Sequence, residues 1–487
     1  MPLTLVLTNV KTVMANLRSL SDFLWGAPLI CLLLGTGVYL TILLRGMAQR
    51  KVIWAASLAL GRGERISPSN KDGISAFSSL ATELAATIGI GNLIGVVSAM
   101  TLGGPGALFW MEVSAFLGLS TKLVESTLSV KYRICREGNP PLGGPMVTLT
   151  RAFPHSTIGK ILGCFYAFCA ILSAFGMGNL IQASAITEAM QSTFGVRAIH
   201  TGTILGLITL FSLIGGMHII PKLASFLVPG MGAFYLSGCL CILFRHMDHL
   251  VLAVQEIFVA AFRPCAVAEG LFGTVTVSFL TCLRYGIARG VFSNEAGLGA
   301  GGIAAAATSE KDHLKQGWIS SSGVFYDTIL ICTITGLTFA CSQAAEKASV
   351  GTLFLTSGKA VDPMNATDLL VATFESSFGR FGGMFLTVCI ALFALATILG
   401  WAVQGEAAFV WLFGEKRVGF YRICYAICPI LGAAFSMDVI WLVSDLANGL
   451  LVFPNLICLW VLAPGICKEI LGSVIGPSRS RSLSKES

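Results

Sequence analysis

Charge is scarce in this sequence. Only 12% of its 487 residues are Asp, Glu, Lys or Arg, whereas 55% are hydrophobic and the mean hydropathy is +0.79. A soluble globular chain carries about 25% charged residues, so a water-soluble enzyme or binding domain is excluded. Cysteine is plentiful but unpatterned. Its fifteen copies are scattered singly through apolar runs with no C-x-x-C spacing, which implies neither a disulfide framework nor a metal site. H-E-x-x-H and G-x-S-x-G are both missing, and with them the usual signs of a zinc peptidase or a serine hydrolase. None of the six histidines sits centrally in an apolar run, so a histidine proton relay finds no support. The net charge of +7 contains no basic run interleaved with aromatics, so nucleic acid is not an expected partner.

What the chain has is long apolar runs. A membrane-crossing helix needs ~20 such residues. About eleven runs are found, centred near Leu34, Ile90, Phe116, Leu172, Leu207, Phe234, Phe292, Ile331, Leu395, Ile427 and Leu451. The run over 24–44 is too long for a signal-peptide core and is expected to be a retained helix. Basic residues fall in alternate loops: Arg45, Arg50, Lys51, Arg62, Arg65 and Lys71, then Lys131, Arg133, Arg136 and Arg151. Lys222, Lys311, Lys315, Lys416, Arg417 and a tail with Arg479, Arg481 and Lys485 continue the series. By the positive-inside rule this predicts an all-α integral membrane protein of a cell membrane, N-terminus outside and C-terminus cytoplasmic. Balanced charge over 342–380 fits an outside loop, with a short surface helix over 366–376, and the polar tail 476–487 reads as disordered.

Two runs are interrupted. The segment 80–99 carries Gly89, Gly91 and Asn92 at its middle, and the segment 290–302 carries Ser293, Asn294 and Glu295 ahead of Gly297, Gly299, Gly301 and Gly302. Glycine and asparagine are poor helix formers. At bilayer depth an unwound turn is tolerated only where it lines a cavity or faces protein, and there its N–H and C=O groups can hold a carboxylate, an ammonium or a small cation. With 24–44 set aside, the two breaks open the first and sixth of ten remaining runs. That is the spacing of a 5+5 inverted repeat, here 75–245 and 275–463, joined by an extracellular connection over 246–274 and followed by a tail over 464–487. Residues 1–23 form an N-terminal segment.

In the first break, N–H groups around Ile90 and Gly91 are candidates to receive a carboxylate, with Gly89 allowing close approach and Asn92 orienting the site or lending an oxygen to an ion. The competing reading is that Gly89 and Gly91 merely let helices pack closely. In the second, freed carbonyls near Ser293, Asn294 and Gly297 are candidates for an ammonium. Glu295 serves either as a ligand or as a structural partner of Arg289 or Arg284, since charge at that depth costs several kcal/mol unpaired. Asn179 and Gln182 share a face with Gly176 and either bond a substrate or bind helices together. Phe292 and Trp401 either wall the pocket or simply pack. Lys122 and Glu125, three apart on one helix, are expected to pair.

Several ordered motifs resemble the alanine or glycine:cation symporter family over nearly the whole chain. They are Gly103-Gly-Pro-Gly through Gly118, Gly143-Gly-Pro-Met146, Arg289 through Gly297, Asp327-Thr328, Gly400-Trp401 with Gly405-Glu406, and Asn448-Gly-Leu with Pro454-Asn455. The resemblance implies a leucine-transporter-type fold of about 11 transmembrane helices, the 5+5 repeat being preceded by one extra helix. It further implies no enzyme activity and no cofactor beyond sodium as coupling ion, with a small neutral amino acid such as alanine or glycine as substrate. For sodium it points to the carbonyls of Ala85, Ile88 and Phe393 and the hydroxyl of Thr397. The chain departs from the family pattern at Ala396, where a second threonine is usual, at Glu112 in place of tryptophan, at Ala300-Gly-Gly, and in carrying Glu83. These departures motivate an alternative, weak sodium coupling or proton coupling with Glu83 as carrier, against a Glu83 that merely snorkels to the cytoplasmic interface.

Overall fold

A computed structural model describes residues 15–475, apart from 22, 61–74, 137–138, 216–218, 263–264, 269–274, 351–365 and 434–436. Arg62, Arg65, Lys71 and the tail from 476 therefore lie outside the described residues.

The described chain is helical almost throughout, with two short two-stranded hairpins. The helices used below are α1 (Ala27–Leu43), α2 (Ala76–Thr87), α3 (Val96–Gly103), α4 (Ala107–Lys131), α5 (Thr157–Phe175), α6 (Ile181–Phe194), α7 (Ala198–Ile214), α8 (Ile219–Arg245), α9 (Met247–Phe262), α10 (Phe279–Asn294), α11 (Ala300–Ala306), α12 (His313–Val324), α13 (Thr333–Val350), α14 (Ala366–Phe378), α15 (Arg380–Phe413), α16 (Val418–Gly432) and α17 (Met437–Ile475). Among the described residues six helices are long and apolar enough to cross a membrane, or seven when α2 and α3, bent by 55° at their break, count as one span. Large apolar side chains such as Ile158, Phe211, Phe226 and Phe420 point outward. In water that surface would aggregate; against lipid tails it costs nothing.

Because lipid is as apolar as leucine, close packing and polar contacts hold such helices together. Small residues do this here. A Cβ on Gly400 of α15 would lie 2.4 Å from the Ala86 amide of α2, so the two backbones meet directly. A Cβ on Gly178 would lie 2.3 Å from the Trp401 Cβ, so the glycine makes room for that side chain.

Helix α2 starts at Ser75, whose hydroxyl accepts the Ser78 N–H at 3.0 Å, and ends where Ile88 leaves helical geometry at ψ 86°. Helix α10 ends at a left-handed Glu295 (φ 56°), followed by Gly297 (φ 98°) and Gly299 (φ 77°). A non-glycine residue in that region carries strain of about 1–3 kcal/mol and calls for a reason. Three segments wind as π-helix: Gly91–Gly95, Gly176–Leu180 and Phe325–Cys332. Such turns cluster at functional sites.

The expected short helix over 366–376 is present as α14, but not as a surface helix. Leu369, Leu370, Thr373 and Phe374 bury one face, and α14 packs on α15 and α3. Lys222, expected in a loop, stands in the first turn of α8. The connection after α8 contains α9, whose Ala253, Ile257 and Ala261 are buried.

Candidate functional site

Both breaks are buried in protein and face each other. Asn92, wholly buried, donates to Asp327 Oδ1 at 2.7 Å, to the Asp327 carbonyl at 3.1 Å and to Ser293 Oγ at 2.9 Å. The Ser293 and Thr328 hydroxyls donate to Asp327 Oδ2 at 2.8 and 2.7 Å, and the Asn294 amide donates to Thr328 at 3.2 Å. One carboxylate from the third π-turn thus ties the first break to the second.

The freed amides already have partners. The Gly89 N–H donates to Asn92 Oδ1 at 3.0 Å and the Ile90 N–H to Gln182 Oε1 at 3.3 Å. A carboxylate seated at Ile90 must displace Gln182, so Gln182 acts on the break itself. The Phe292 ring closes over Gly91, where a Cβ would stand 3.3 Å from it. Asn179 turns the other way and donates to the Tyr425 carbonyl at 2.8 Å, which makes it a tie between helices. Asn294 Oδ1 is likewise spent, on the Ala296 N–H at 3.0 Å.

Thr397 Oγ1 lies 3.1 Å from the Phe393 carbonyl and 3.4 Å from that of Ile88. A Cβ on Gly400 would be 2.9 Å from the Ala85 carbonyl carbon. The four positions singled out for a cation are therefore neighbours at the α2–α15 contact, all of them neutral oxygens of the kind a hard cation takes.

Beside the second break lies a buried cluster of charge. Lys122 Nζ is 3.1 Å from Glu83 Oε1, both side chains being 1% exposed, and donates to the Asn294 carbonyl at 3.4 Å. Glu125 accepts the Gly297 N–H at 2.9 Å and the Asn455 amide, which also reaches the Gly297 carbonyl at 2.9 Å. Three expectations are corrected here. Lys122 pairs with Glu83 and not with Glu125, because its side chain reaches past Gly301 of α11 to a carboxylate on α2 and is not confined to partners along α4. Glu83 does not snorkel; it is enclosed with its ammonium. Glu295 is not held by the arginines, which lie over the Phe292 ring (Arg289, 5.4 Å) and the Tyr285 ring (Arg284, 5.8 Å). The groups acting on it are Lys122, Asp327, Trp401 and Glu83. Both Glu295 oxygens and the Trp401 indole N–H lack a hydrogen bond of normal geometry, although the indole is close enough to act on the carboxylate.

Asp327 was legible as a motif member without a role. A lone aspartate inside an apolar run is a functional candidate by depth alone, and that signal was available. Gly301 was legible only as a departure. A Cβ there would sit 2.1 Å from Lys122 Nζ and 2.7 Å from Glu83 Oε1, so a side chain at this position would push the ends of the ion pair aside.

Helices broken at their middles, facing each other around a polar hub inside an apolar bundle, define a membrane transporter. The fold agrees with a solved one: the amino-acid-bound structure described as MhsT in complex with L-phenylalanine superposes with a TM-score of 0.58 at 13% identity, over 83% of this chain and 99% of that one. Residues 10–472 match the model of the sodium:alanine symporter family, and the chain belongs to that family. The sodium/alanine symporter AgcS of Methanococcus maripaludis is 38% identical over 93% of this chain and 95% of its own length. The probable sodium/glutamine symporter GlnT of Bacillus subtilis is 30% identical over 91% and 87%. The protein is thus a multi-pass membrane symporter and not an enzyme.

Proposed function

We propose that the chain imports a small neutral amino acid, alanine or glycine, together with sodium by alternating access. In this reading it crosses the membrane eleven times, N-terminus outside and C-terminus cytoplasmic, as one extra helix (24–44) and two inverted five-helix repeats (75–245 and 275–463). The observation that carries it is the joining of both breaks through Asn92, Ser293 and Asp327, next to the meeting of Thr397 with the Ile88 and Phe393 carbonyls.

Sodium among Ala85, Ile88, Phe393 and Thr397 draws α15 onto α2 and fixes the break. The substrate carboxylate then takes the Ile90 N–H from Gln182, its ammonium meets carbonyls of the second break, and Phe292 and Trp401 bound its side chain. Each ligand favours the same conformation, which is all that coupling requires. The loaded state rocks inward, the two repeats moving about a fixed site.

Uptake of labelled alanine and glycine into proteoliposomes, with sodium and proton gradients imposed in turn, tests this. Saturable accumulation driven by sodium is expected. Equal, unsaturable entry whatever the gradient contradicts it.

A further inference from the structure

The Gly143-Gly-Pro-Met146 motif takes no part in the sites above, yet it lies against the second break. Beyond α4 the chain forms two short paired strands, Ile134–Arg136 and Asn139–Leu142, turns at Gly143 and Gly144 (φ 98°), and enters a short helix, Pro145–Ala152. Residues 142–149 are all buried. A Cβ on Gly143 would lie 2.2 Å from the Ala306 Cβ, one on Gly144 2.5 Å from Ile303 Cγ1, and one on Gly299 2.4 Å from Pro145 Cγ. The turn therefore follows α11 from the break at Gly299 to its last residue, Ala306. Its two sides are fixed to different helices. Arg133 donates to the Ala306, Thr308 and Glu310 carbonyls at 3.3, 2.8 and 2.8 Å, which binds it to the end of α11. The helix 145–152 rests instead on α5, where a Cβ on Gly159 or Gly163 would stand 2.9 Å from the Leu149 or Met146 carbonyl oxygen. Arg136 reaches a third element, donating at 2.7 Å to Glu415 in the turn Glu415–Arg417 that follows α15.

We propose that Gly143-Gly-Pro-Met146 is the cytoplasmic gate of the second break, latched shut by the Arg136–Glu415 pair. This rests on the symport reading, in which the substrate leaves toward the side that carries Arg133, Arg136 and Arg151. Alternating access parts the helices on one side of the site while they close on the other. Because Arg133 goes with α11 and the helix 145–152 goes with α5, any parting of those two helices is taken up between Arg133 and Pro145. The contact there is built to part. Among the described residues no hydrogen bond joins 143–146 to 299–306, so separating them breaks packing only. Two successive glycines leave the backbone free to swing. The latch suits repeated opening as well. The Glu415 side chain is 56% exposed, so water takes the place of its partner when the pair separates, and such a pair holds only weakly.

Hydrogen exchange of the purified full-length protein, read by mass spectrometry, tests this together with alanine uptake into proteoliposomes. Arg136→Glu sets like charges against each other at the latch. Amide exchange is expected to rise roughly 2–5-fold in 139–152 and in 297–306 together. The outside alanine concentration for half-maximal uptake is expected to rise as well, because a gate that opens inward depletes the outward-facing state. Adding Glu415→Arg to Arg136→Glu restores an opposite-charge pair and is expected to return both quantities to wild-type values. Arg136→Gln, which loses the latch without repulsion, moves both in the same direction by less, and it carries the test if Arg136→Glu does not fold. An alanine-induced thermal shift identifies the folded variants. Faster exchange confined to 139–152, with 297–306 unchanged, makes the segment an ordinary loop and overturns the gate. A half-saturating concentration that the latch variants leave untouched, or that the charge swap fails to restore, overturns it too, and in either case uptake by the wild type leaves symport standing. Absence of alanine uptake by the wild type under any gradient overturns the symport reading and this inference with it.

Discussion

Replacing Gly89 by alanine places one methyl group where the first break meets the proposed sodium oxygens. Its Cβ would stand 2.4 Å from Thr397 Oγ1, 3.3 Å from Thr397 Cβ and 3.1 Å from Gln182 Oε1. Thr397 is β-branched and stiff, so the hydroxyl yields only by rotating to its other rotamer. That rotation breaks its contacts to Phe393 and Ile88. Overpacking costs about 1–3 kcal/mol, and each hydrogen bond lost inside a membrane bundle about 0.6 kcal/mol. The expected destabilisation is therefore roughly 2–4 kcal/mol. Losing one neutral oxygen, at about 1–2 kcal/mol, weakens sodium roughly 5–30-fold. Thr397→Ala alone removes the same ligand with no clash. The double variant Gly89→Ala/Thr397→Ala is then expected to recover roughly 1–2 kcal/mol of stability relative to additivity, while sodium stays weak. Thermal unfolding of the purified protein and the sodium dependence of alanine binding measure the two quantities. Additive stability losses, or sodium affinity untouched by Thr397→Ala, refute the placement of the ion.

Lys122→Met leaves Glu83 buried without its partner and is expected to cost roughly 3–5 kcal/mol, read as lost thermal stability; adding Glu83→Gln should return much of it. Asp327→Ala strips the acceptor from Asn92, Ser293 and Thr328 at once. It is expected to destabilise by at least roughly 1–3 kcal/mol and to abolish alanine uptake, whereas Asp327→Asn should keep more of the fold than of the uptake. Tyr166→Phe removes only the hydroxyl on the Leu298 carbonyl. A loss of about 1 kcal/mol with sodium-driven uptake retained is the expected result.

The two breaks were legible because clustered glycine and asparagine in an apolar run have few uses other than unwinding or close packing, and both uses occur here. Gly89 and Gly297 unwind; Gly178 and Gly400 pack. Polar partners were not legible. Spacing along α4 suggested Glu125 for Lys122, yet its partner is Glu83 on α2, met past Gly301 of α11, and only the tertiary arrangement decides that. Asn179 offered the same chemistry as Gln182 on the same helical face, but the π-turn over 176–180 separates their directions, sending one to Tyr425 and the other to the break. Hydropathy carries no mark of a π-turn. Asp327 shows a third case, a residue read only as a motif member although its depth in an apolar run was a usable signal, while its three partners waited on the fold.

Alanine and sodium binding are linked if one set of breaks serves both, and linkage is reciprocal. The most direct measurement is equilibrium binding of labelled alanine to the purified protein across sodium concentrations, with sodium affinity measured across alanine concentrations. Each ligand is expected to tighten the other by the same factor, and Thr397→Ala is expected to reduce this factor. Alanine affinity identical with and without sodium would contradict this linkage.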